Sequence, residues 1–287
     1  MRQFASFLIA ATMAWAAETG EIRLVAMADD MGVAHGINAG TIRAYREGIV
    51  RSTNVIVPGP WLLDAVAQLR ENPGLDCGIH LALTSEWEFV KWRPLTHAPS
   101  LVDENGYFFP MTRKIAHFPP RSSVEEAGVR PDEVERELRA QIETMRRLLP
   151  RVTFVTSHMG AATSTPALRA IVEKLAGELG LPPTGSVPEV RSLGRMYRQT
   201  DSGEEKAQAL TARLAEIGPG TWSMIDHAAL DTEEVRAIGH LGYRNVAADR
   251  SGNVACWTSP VVKEVVRKRK IRLVSWGELI REHRARK

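Results

Sequence analysis

The stretch "VAMADDMGVAHG" at residues 25–36 joins an apolar run to two adjacent carboxylates. Residues 25–28 have the composition of a buried strand, and Asp29 and Asp30 close it. Two neighbouring carboxylates repel each other unless a cation or a shared proton lies between them. We therefore expect this strand end to carry chemistry, with one aspartate binding a metal ion and the other handling protons.

Strand-like apolar runs alternate with helical patterns along the rest of the chain, which indicates an α/β fold. The predicted strands are residues 22–27, 52–57, 76–83, 152–157, 221–226 and 271–276. The predicted helices cover roughly residues 36–48, 60–70, 131–149, 165–179, 203–217, 232–241 and 259–268. Short α/β units over about 270 residues favour a barrel over an open sheet.

Charge and cysteine content exclude several classes of protein. The 287 residues carry a formal net charge of +3, which is too weak a bias to indicate nucleic acid or an anionic surface as a partner. Cys77 and Cys256 make neither a disulfide framework nor a metal-ligand spacing. They are interpreted as two small buried residues.

The first sixteen residues, "MRQFASFLIAATMAWA", have the layout of a secretory signal peptide. Arg2 precedes an uncharged apolar stretch, and Ala14-Trp15-Ala16 provides a small-x-small cleavage site. A membrane anchor is the alternative, but the apolar stretch is shorter than the roughly 20 residues that a full span needs. We predict cleavage after Ala16, a single mature domain at residues 17–287, export to the periplasm or the exterior, and no stable membrane insertion.

Residues 85–130 contain no clear periodic element and interrupt the alternation of strands and helices. Long connections of this kind are uncommon inside compact domains and often serve as lids or binding loops. Aromatic residues, including Trp87 and Trp92, are concentrated here. They form either a small satellite core or a stacking surface, and the core is favoured for the set because aromatic side chains usually bury.

Polar side chains with metal-binding capacity lie at or near the ends of four predicted strands. Beside Asp29 and Asp30, His80 lies in "CGIHLAL", His158 closes "VTSHMG", and His227 closes "MIDHAAL". The carboxyl ends of parallel strands in a barrel share one face, where active sites form. Each residue alone has an ordinary structural explanation, such as a helix cap or a hydrogen-bonded core position. Together, one carboxylate and two imidazoles match a common divalent-metal site, and a second carboxylate beside it can accept a proton from water.

Four stretches, in order along the chain, resemble the YdjC-like carbohydrate deacetylases. This group includes chitooligosaccharide deacetylase and a hopanoid-biosynthesis deacetylase. The stretches are "ADDMGVAHGINAGTIRAYREGIVRSTNVIV" (28–57), "GLDCGIHLALTSEW" (74–87), "PSLVDENGYFFP" (99–110) and "ELRAQIETM" (137–145). The resemblance covers most of the mature chain and implies a distorted α/β barrel similar to that of polysaccharide deacetylases.

The resemblance also implies an activity and its residues. It implies metal ligands at Asp30, His80 and His158, a catalytic base at Asp29, and a catalytic position for His227 near the leaving amine. The implied cofactor is one divalent ion, zinc or magnesium. The implied reaction is hydrolysis of an N-acetyl group on an amino sugar or oligosaccharide, giving acetate and a free amine.

The resemblance has departures at the fourth strand and after the late histidine. Many members carry D-S-H-x-H where this chain has Thr156-Ser157-His158-Met159-Gly160, so an acid and a second histidine are missing. The family's proline after the late histidine is Ala228 here. These departures affect groups that support the proposed ligands and not the ligands themselves.

Substrate contacts are predicted at Trp87 and Trp92, which follow the His80 strand, and at His35, which follows the aspartate pair. An indole suits the apolar face of a sugar ring, and pocket walls are commonly aromatic. Two alternatives to a deacetylase stay open. One is a weakly active or inactive barrel that binds glycans, and the other is a metal-dependent amidase or esterase with a different substrate. Retention of both aspartates favours an enzyme, since a binding module needs at most one.

Overall fold

The computed structural model describes residues 20–286. The predicted signal peptide at residues 1–16 lies outside the described residues, so export stays a prediction. Within the described range the sheet has seven strands, which are β1 (Ile22–Met31), β2 (Ser52–Val55), β3 (Asp76–Leu81), β4 (Val155–Ser157), β5 (Val190–Ser192), β6 (Gly220–His227) and β7 (Arg272–Leu273). No helix in this range is long and apolar enough to cross a membrane.

Helices connect and cover these strands. The α-helices of the described range are α1 (His35–Glu47), α2 (Leu62–Glu71), α3 (Val124–Ala127), α4 (Pro131–Leu148), α5 (Pro166–Leu179), α6 (Gly203–Glu216), α7 (Glu233–Arg236), α8 (Val246–Thr258), α9 (Pro260–Lys268) and α10 (Trp276–Ala285). Several begin with local signals that the sequence carries. Ser202, for example, forms a reciprocal capping box with Glu205 at the start of α6.

All strand pairs are parallel, in the order β4-β3-β2-β1-β6-β5, with β7 beside β1. The longest pairing joins β1 to β6 and runs from Ile22 opposite Gly220 to Asp29 opposite His227. Among the described residues, the edge strands β4 and β5 do not pair with each other. The predicted α/β fold is therefore confirmed as a curled parallel sheet, and its barrel is left open at the seam between β4 and β5.

Strand β1 is buried along its whole length. Leu24, Ala26 and Ala28 pack into the main core, whereas the alternate residues Val25 and Met27 belong to a second, smaller cluster. Successive side chains of a strand point to opposite faces, so both faces of β1 are covered. This double burial explains why residues 24–28 of β1 form an unbroken apolar run.

The structure differs from the predicted elements in several places, and it adds β5, α3 and α10, which the sequence pattern does not predict. The predicted strand at residues 271–276 is only the two-residue β7, because α10 begins directly after it. The predicted helix at residues 232–241 is reduced to the single turn α7. The sequence pattern does not predict α8, because this helix buries Asp249, Arg250 and Asn253 together with apolar residues and so lacks a polar stripe.

The segment at residues 85–130 is folded onto the barrel and holds little regular structure. It contains a short 3₁₀ turn (Pro99–Leu101) and α3. Trp87, Trp92 and Phe108 are buried, while Phe89 is exposed. Burial of these aromatic residues agrees with a core role, but Trp87, Trp92 and Phe108 pack into the main hydrophobic core and do not form a separate small one.

Two buried glutamates of α4 hold this segment in place. Glu137 accepts hydrogen bonds from the backbone nitrogens of Leu95 (3.0 Å) and Thr96 (2.9 Å), and from Thr96 Oγ1 (2.7 Å). Glu133 accepts a hydrogen bond from the backbone nitrogen of Ser100 (2.8 Å). Buried polar groups need such partners. The carboxylates therefore replace the ladder of hydrogen bonds that this irregular segment lacks.

We expect Glu137→Ala to lower the free energy of unfolding by about 3 kcal/mol, because the N–H groups of Leu95 and Thr96 lose their acceptor. Denaturant unfolding measures this loss, and hydrogen exchange at the two amides should accelerate. Glu135→Ala on the same helix is the matched control. Its carboxylate pairs with surface cations, and such pairs contribute about 1 kcal/mol or less. Equal losses in the two variants would contradict the assigned role.

Candidate metal centre

An irregularity in β1 turns both aspartates toward one pocket. The pairing of β1 with β2 shifts register between Ala28 and Met31, and Asp30 has a φ of 74°. Adjacent side chains of a regular strand point to opposite faces, but a bulge of this kind redirects them. Asp29 and Asp30 therefore line the same space, which has a volume of about 360 Å³ and is called the metal pocket below.

Asp30, His80 and His158 converge in the metal pocket. Asp30 Oδ1 lies 3.5 Å from His80 Nε2 and 3.4 Å from His158 Nδ1. The three candidate ligand atoms all lie within 4.8 Å of one another, and all three residues are buried. Asp30 Oδ1 has no hydrogen-bond partner although it is buried. One unpartnered carboxylate oxygen and two imidazole nitrogens around a common point fit a divalent ion with open positions, and ligation by these residues stays a prediction.

The ring nitrogens that face away from this point also have partners. His80 Nδ1 lies 2.6 Å from Thr156 Oγ1, and His158 Nε2 lies 2.8 Å from Glu86 Oε2. Such contacts fix the orientation and the tautomer of a metal-binding histidine. His80 therefore presents Nε2 to the pocket, and His158 presents Nδ1.

The two histidines differ in basicity. Burial and the nearby His158 lower the pKa of His80 to about 3, which keeps its ring neutral. Burial also disfavours the charged ring of His158, but Glu86 and Asp30 raise the pKa of His158 to about 10. A cation that binds here would therefore displace a proton from His158.

Asn54 connects four groups of the pocket. Its backbone-facing Oδ1 accepts a hydrogen bond from the backbone nitrogen of Asp30 (3.1 Å). Its Nδ2 donates to Asp29 Oδ1 (3.0 Å) and to Thr156 Oγ1 (2.8 Å), and lies 3.1 Å from His80 Nδ1. Asn54 is fully buried on β2. It therefore holds the irregular end of β1 against the neighbouring strands.

Arg250 supplies a positive charge from α8. Its Nη2 donates to Asp30 Oδ2 (3.1 Å), and its guanidinium lies 5.1 Å from the centre of the Trp87 ring. His227 Nε2 lies 3.4 Å from the same Oδ2. The two oxygens of Asp30 are thus divided, with Oδ2 facing these cationic groups and Oδ1 facing His80 and His158.

Asp29 and Asp30 have opposite pKa shifts. Burial raises the pKa of Asp29 to about 7, and the charge on Asp30 adds to the increase, although His227 opposes it. Burial acts on Asp30 in the same direction, yet His227, His158 and Arg250 hold the pKa of Asp30 well below its usual range. Asp30 therefore stays ionised, as a metal ligand must, and Asp29 can exchange a proton near neutral pH.

His227 borders the metal pocket from β6. Asn253 Nδ2 donates to the carbonyl of His227 (2.8 Å), and Asp226 Oδ1 accepts from its backbone nitrogen (2.9 Å). Burial and the nearby Arg250 lower the pKa of His227, but the carboxylates of Asp30 and Asp226 outweigh them and raise the pKa above the ordinary value. The two carboxylates therefore increase the tendency of the ring to hold a proton.

The model of the YdjC-like protein family matches residues 23–268 of this chain. The chain belongs to the YdjC-like family. A carbohydrate deacetylase of Thermus thermophilus is 31% identical over 234 residues, which cover 73% of this chain and 78% of that protein. Carbohydrate deacetylase 2 of Listeria innocua is 23% identical over 90% of this chain and 99% of its own length.

A solved structure agrees with this assignment. The crystal structure of an Enterococcus faecalis V583 protein, described as a cellobiose-phosphate cleavage protein, superposes with a TM-score of 0.72. It is 26% identical in sequence and aligns over 90% of this chain and 99% of its own. The predicted family is thus confirmed, and curated relatives of this YdjC-like protein are named carbohydrate deacetylases, the predicted class.

The three predicted substrate contacts differ in position. Trp87 lines the metal pocket but is only 2% exposed, because it packs against His240 and Arg250. Trp92 is equally buried and packs against the ring of His158 (5.8 Å between centres), so it offers no open face to a sugar. His35 is exposed and contacts Asp64, and it does not line the pocket.

Trp92 of this YdjC-like protein is buried and does not line the metal pocket. The physical reason is that the segment after β3 folds back, with the Trp92 backbone nitrogen donating to Ser85 Oγ (3.1 Å). This fold places the indole inside the main hydrophobic core, against the ring of His158. Any part that Trp87, Trp92 or His35 plays in substrate binding stays a prediction.

Sequence reasoning misses three residues that the structure brings to the site, namely Asn54, Glu86 and Arg250. Asn54 lies within the "STN", and Glu86 lies within the "GLDCGIHLALTSEW", that carry part of the family resemblance, and these stretches are the available signals. Glu86 lies in the irregular segment, and Arg250 lies on a helix that the sequence pattern does not predict. Neither has a spacing that points to the pocket.

We expect Glu86→Gln to weaken binding of a divalent ion about 10- to 100-fold, because His158 loses the carboxylate that orients it and raises its basicity. Titration calorimetry with the metal-free protein measures the affinity. Glu88→Gln is the matched control, since Glu88 is two residues away and pairs with Arg244 at the surface. Unchanged affinity in Glu86→Gln, or the same loss in both variants, would contradict this assignment.

Proposed function

We propose that this YdjC-like protein is a metal-dependent carbohydrate deacetylase that removes the N-acetyl group from an amino sugar or oligosaccharide. The convergence of Asp30, His80 and His158, with Asp30 Oδ1 unpartnered and Asp29 beside it, carries the proposal. The Thermus thermophilus and Listeria innocua relatives are named carbohydrate deacetylases, which supports the same substrate class.

A zinc or magnesium ion held by Asp30, His80 and His158 would supply a Lewis acid for the acyl carbonyl and lower the pKa of a water molecule. Asp29 Oδ2 lies 3.7 Å from His80 Nε2, beside the position that the three candidate ligand atoms surround. Its raised pKa suits it to accept the proton of the attacking water. His227 lies on β6, opposite Asp29 of β1. In its protonated form it donates a proton to the departing nitrogen, since an unprotonated amine leaves poorly.

The site also bears on the alternative of an inactive glycan-binding barrel. A binding module needs a ligand for its metal but no proton acceptor, and a buried carboxylate without such a role is costly. Asp29 is buried, is oriented by Asn54, and has a pKa near neutrality. These properties favour turnover over simple binding.

We expect Asp29→Asn to retain metal binding and lose about 10²–10⁴-fold in kcat, because it removes the proton acceptor and leaves the three candidate ligands in place. Asp30→Asn should instead lose metal affinity. Calorimetry and steady-state kinetics on both variants separate the two roles. Equal metal loss in the two variants, or wild-type kcat in Asp29→Asn, would contradict the division between the aspartates.

Acetate release from a panel of N-acetylated mono- and oligosaccharides tests the activity itself. We expect release with wild-type protein, loss of release after treatment with a chelator, and recovery after zinc or magnesium is added back. Binding of the same sugars without acetate release would favour the glycan-binding alternative. Release from simple esters or amides but from no sugar would favour a hydrolase with another substrate.

A further inference from the structure

A second and larger cavity opens beside the metal pocket, and it is largely apolar. Its volume is about 730 Å³, and Asp29 and His80 line both spaces. The rest of its wall comes from β1, β4 and the turn after it, α5, residues 182–186 after α5, one residue of β6 and one of α10. Apolar groups on this wall are Met27, Val155, Val172, Ala176, Pro182 and Ile225, and the wall also carries the charged groups Arg169, Glu173 and Arg284.

This cavity lies toward the open seam of the barrel. Its β4 residues belong to one edge strand, and the chain at Pro183 bridges to Val155 there. Ile225 contributes from the other side, and its aliphatic side chain is 49% exposed. On a strand, residues two apart point to the same face. Ile225 therefore shares a face of the sheet with His227 while remaining available to cover an apolar ligand.

The cavity beside His227 has a different character. It holds about 500 Å³, and hydrogen-bonding groups such as Ser192, Gln199, Ser223 and Asp226 outnumber its apolar ones, although Ile225 lines both cavities. A sugar ring with its hydroxyl groups matches this lining. The two cavities meet the metal pocket through different residues, with His227 belonging to the polar cavity and Asp29 with His80 belonging to the apolar one.

The proposed roles of His227 and Asp29 predict which part of the substrate faces each cavity. His227 donates to the amine nitrogen, so the sugar that bears the nitrogen lies on the His227 side. The acyl carbon is attacked by water beside Asp29, so the rest of the acyl group extends toward Asp29 and His80. An acetyl group has only a methyl to place there, whereas a space of this size is typical of pockets for whole small molecules.

We propose that this protein also hydrolyses N-acyl amino sugars whose acyl group is an aliphatic chain longer than acetyl, and that the chain occupies the apolar cavity. This inference rests on the proposed function. The bonds that form and break are those of the proposed deacetylation. The water oxygen bonds to the acyl carbon, the C–N bond breaks and the nitrogen gains a proton. The products are a fatty carboxylate and the free amine. No further reactant is required.

Chain-length dependence tests the proposal directly. The substrates are N-acetyl-, N-butanoyl- and N-octanoylglucosamine, assayed with metal-loaded protein for release of the free amino sugar. Each buried methylene adds about a fourfold gain in binding, so kcat/KM should rise or hold from acetyl to octanoyl. A fall of about 100-fold or more along the series would overturn the proposal. Absence of release from any acetylated sugar would instead overturn the proposed function.

A variant that fills the apolar cavity tests whether the acyl chain of the substrate lies there. Gly177 of α5 lines the cavity, and a Cβ added there meets no atom within 4 Å. We expect Gly177→Phe to lower the octanoyl-to-acetyl ratio of kcat/KM at least tenfold. Gly218→Phe is the matched control, because a Cβ at Gly218 also meets open space and Gly218 lines neither cavity. An unchanged ratio in Gly177→Phe, or an equal fall in both variants, would overturn the assignment.

Product inhibition keeps the proposal testable if the filling variant does not fold. Octanoate should inhibit the wild-type protein at least tenfold more strongly than acetate, because both share the carboxylate and only octanoate fills the apolar cavity. Equal inhibition by the two carboxylates would contradict an acyl-chain site.

Discussion

Two like charges at the buried end of β1 are the constraint to which the rest of the site responds. Asp29 and Asp30 repel each other, and Asp30 is held in a left-handed backbone conformation that a non-glycine residue adopts at a cost. Asn54 fixes the backbone of Asp30 and the side chain of Asp29. Arg250 meets the outer oxygen of Asp30. This strained backbone conformation persists because contacts from three strands and α8 hold Asp30 in place.

Much of the fold could be predicted because parallel strands with two buried faces leave unbroken apolar runs. Residues 24–28 of β1 are an example, and the pairing of β1 with β6 brings Asp29 opposite His227. Strand β5 leaves no such run, since it has three residues and none is buried. Helix α8 is not predicted for a different reason. It buries charged and apolar residues alike, so its sequence lacks the alternation of polar and apolar faces that marks a surface helix.

The candidate site was predictable where a strand delivers the residue and unpredictable where tertiary contacts do. His80 and His158 come from neighbouring strands, and the shared carboxyl edge of a parallel sheet implies that they meet. Glu86 reaches His158 from a segment without periodicity. Its position depends on how α4 fixes that segment, through contacts of Glu137 with Leu95 and Thr96, which no local spacing reveals.

Thr156 shows how the pocket supports His80 without the acid that many family members carry at this position. A hydroxyl both donates and accepts hydrogen bonds, so Thr156 accepts from Asn54 and still contacts His80 Nδ1. A carboxylate here would add another negative charge to a buried space that already holds Asp29, Asp30 and Glu86. The carboxylate of Glu86 lies beside His158 instead, so His158 is strongly basic while His80 stays neutral.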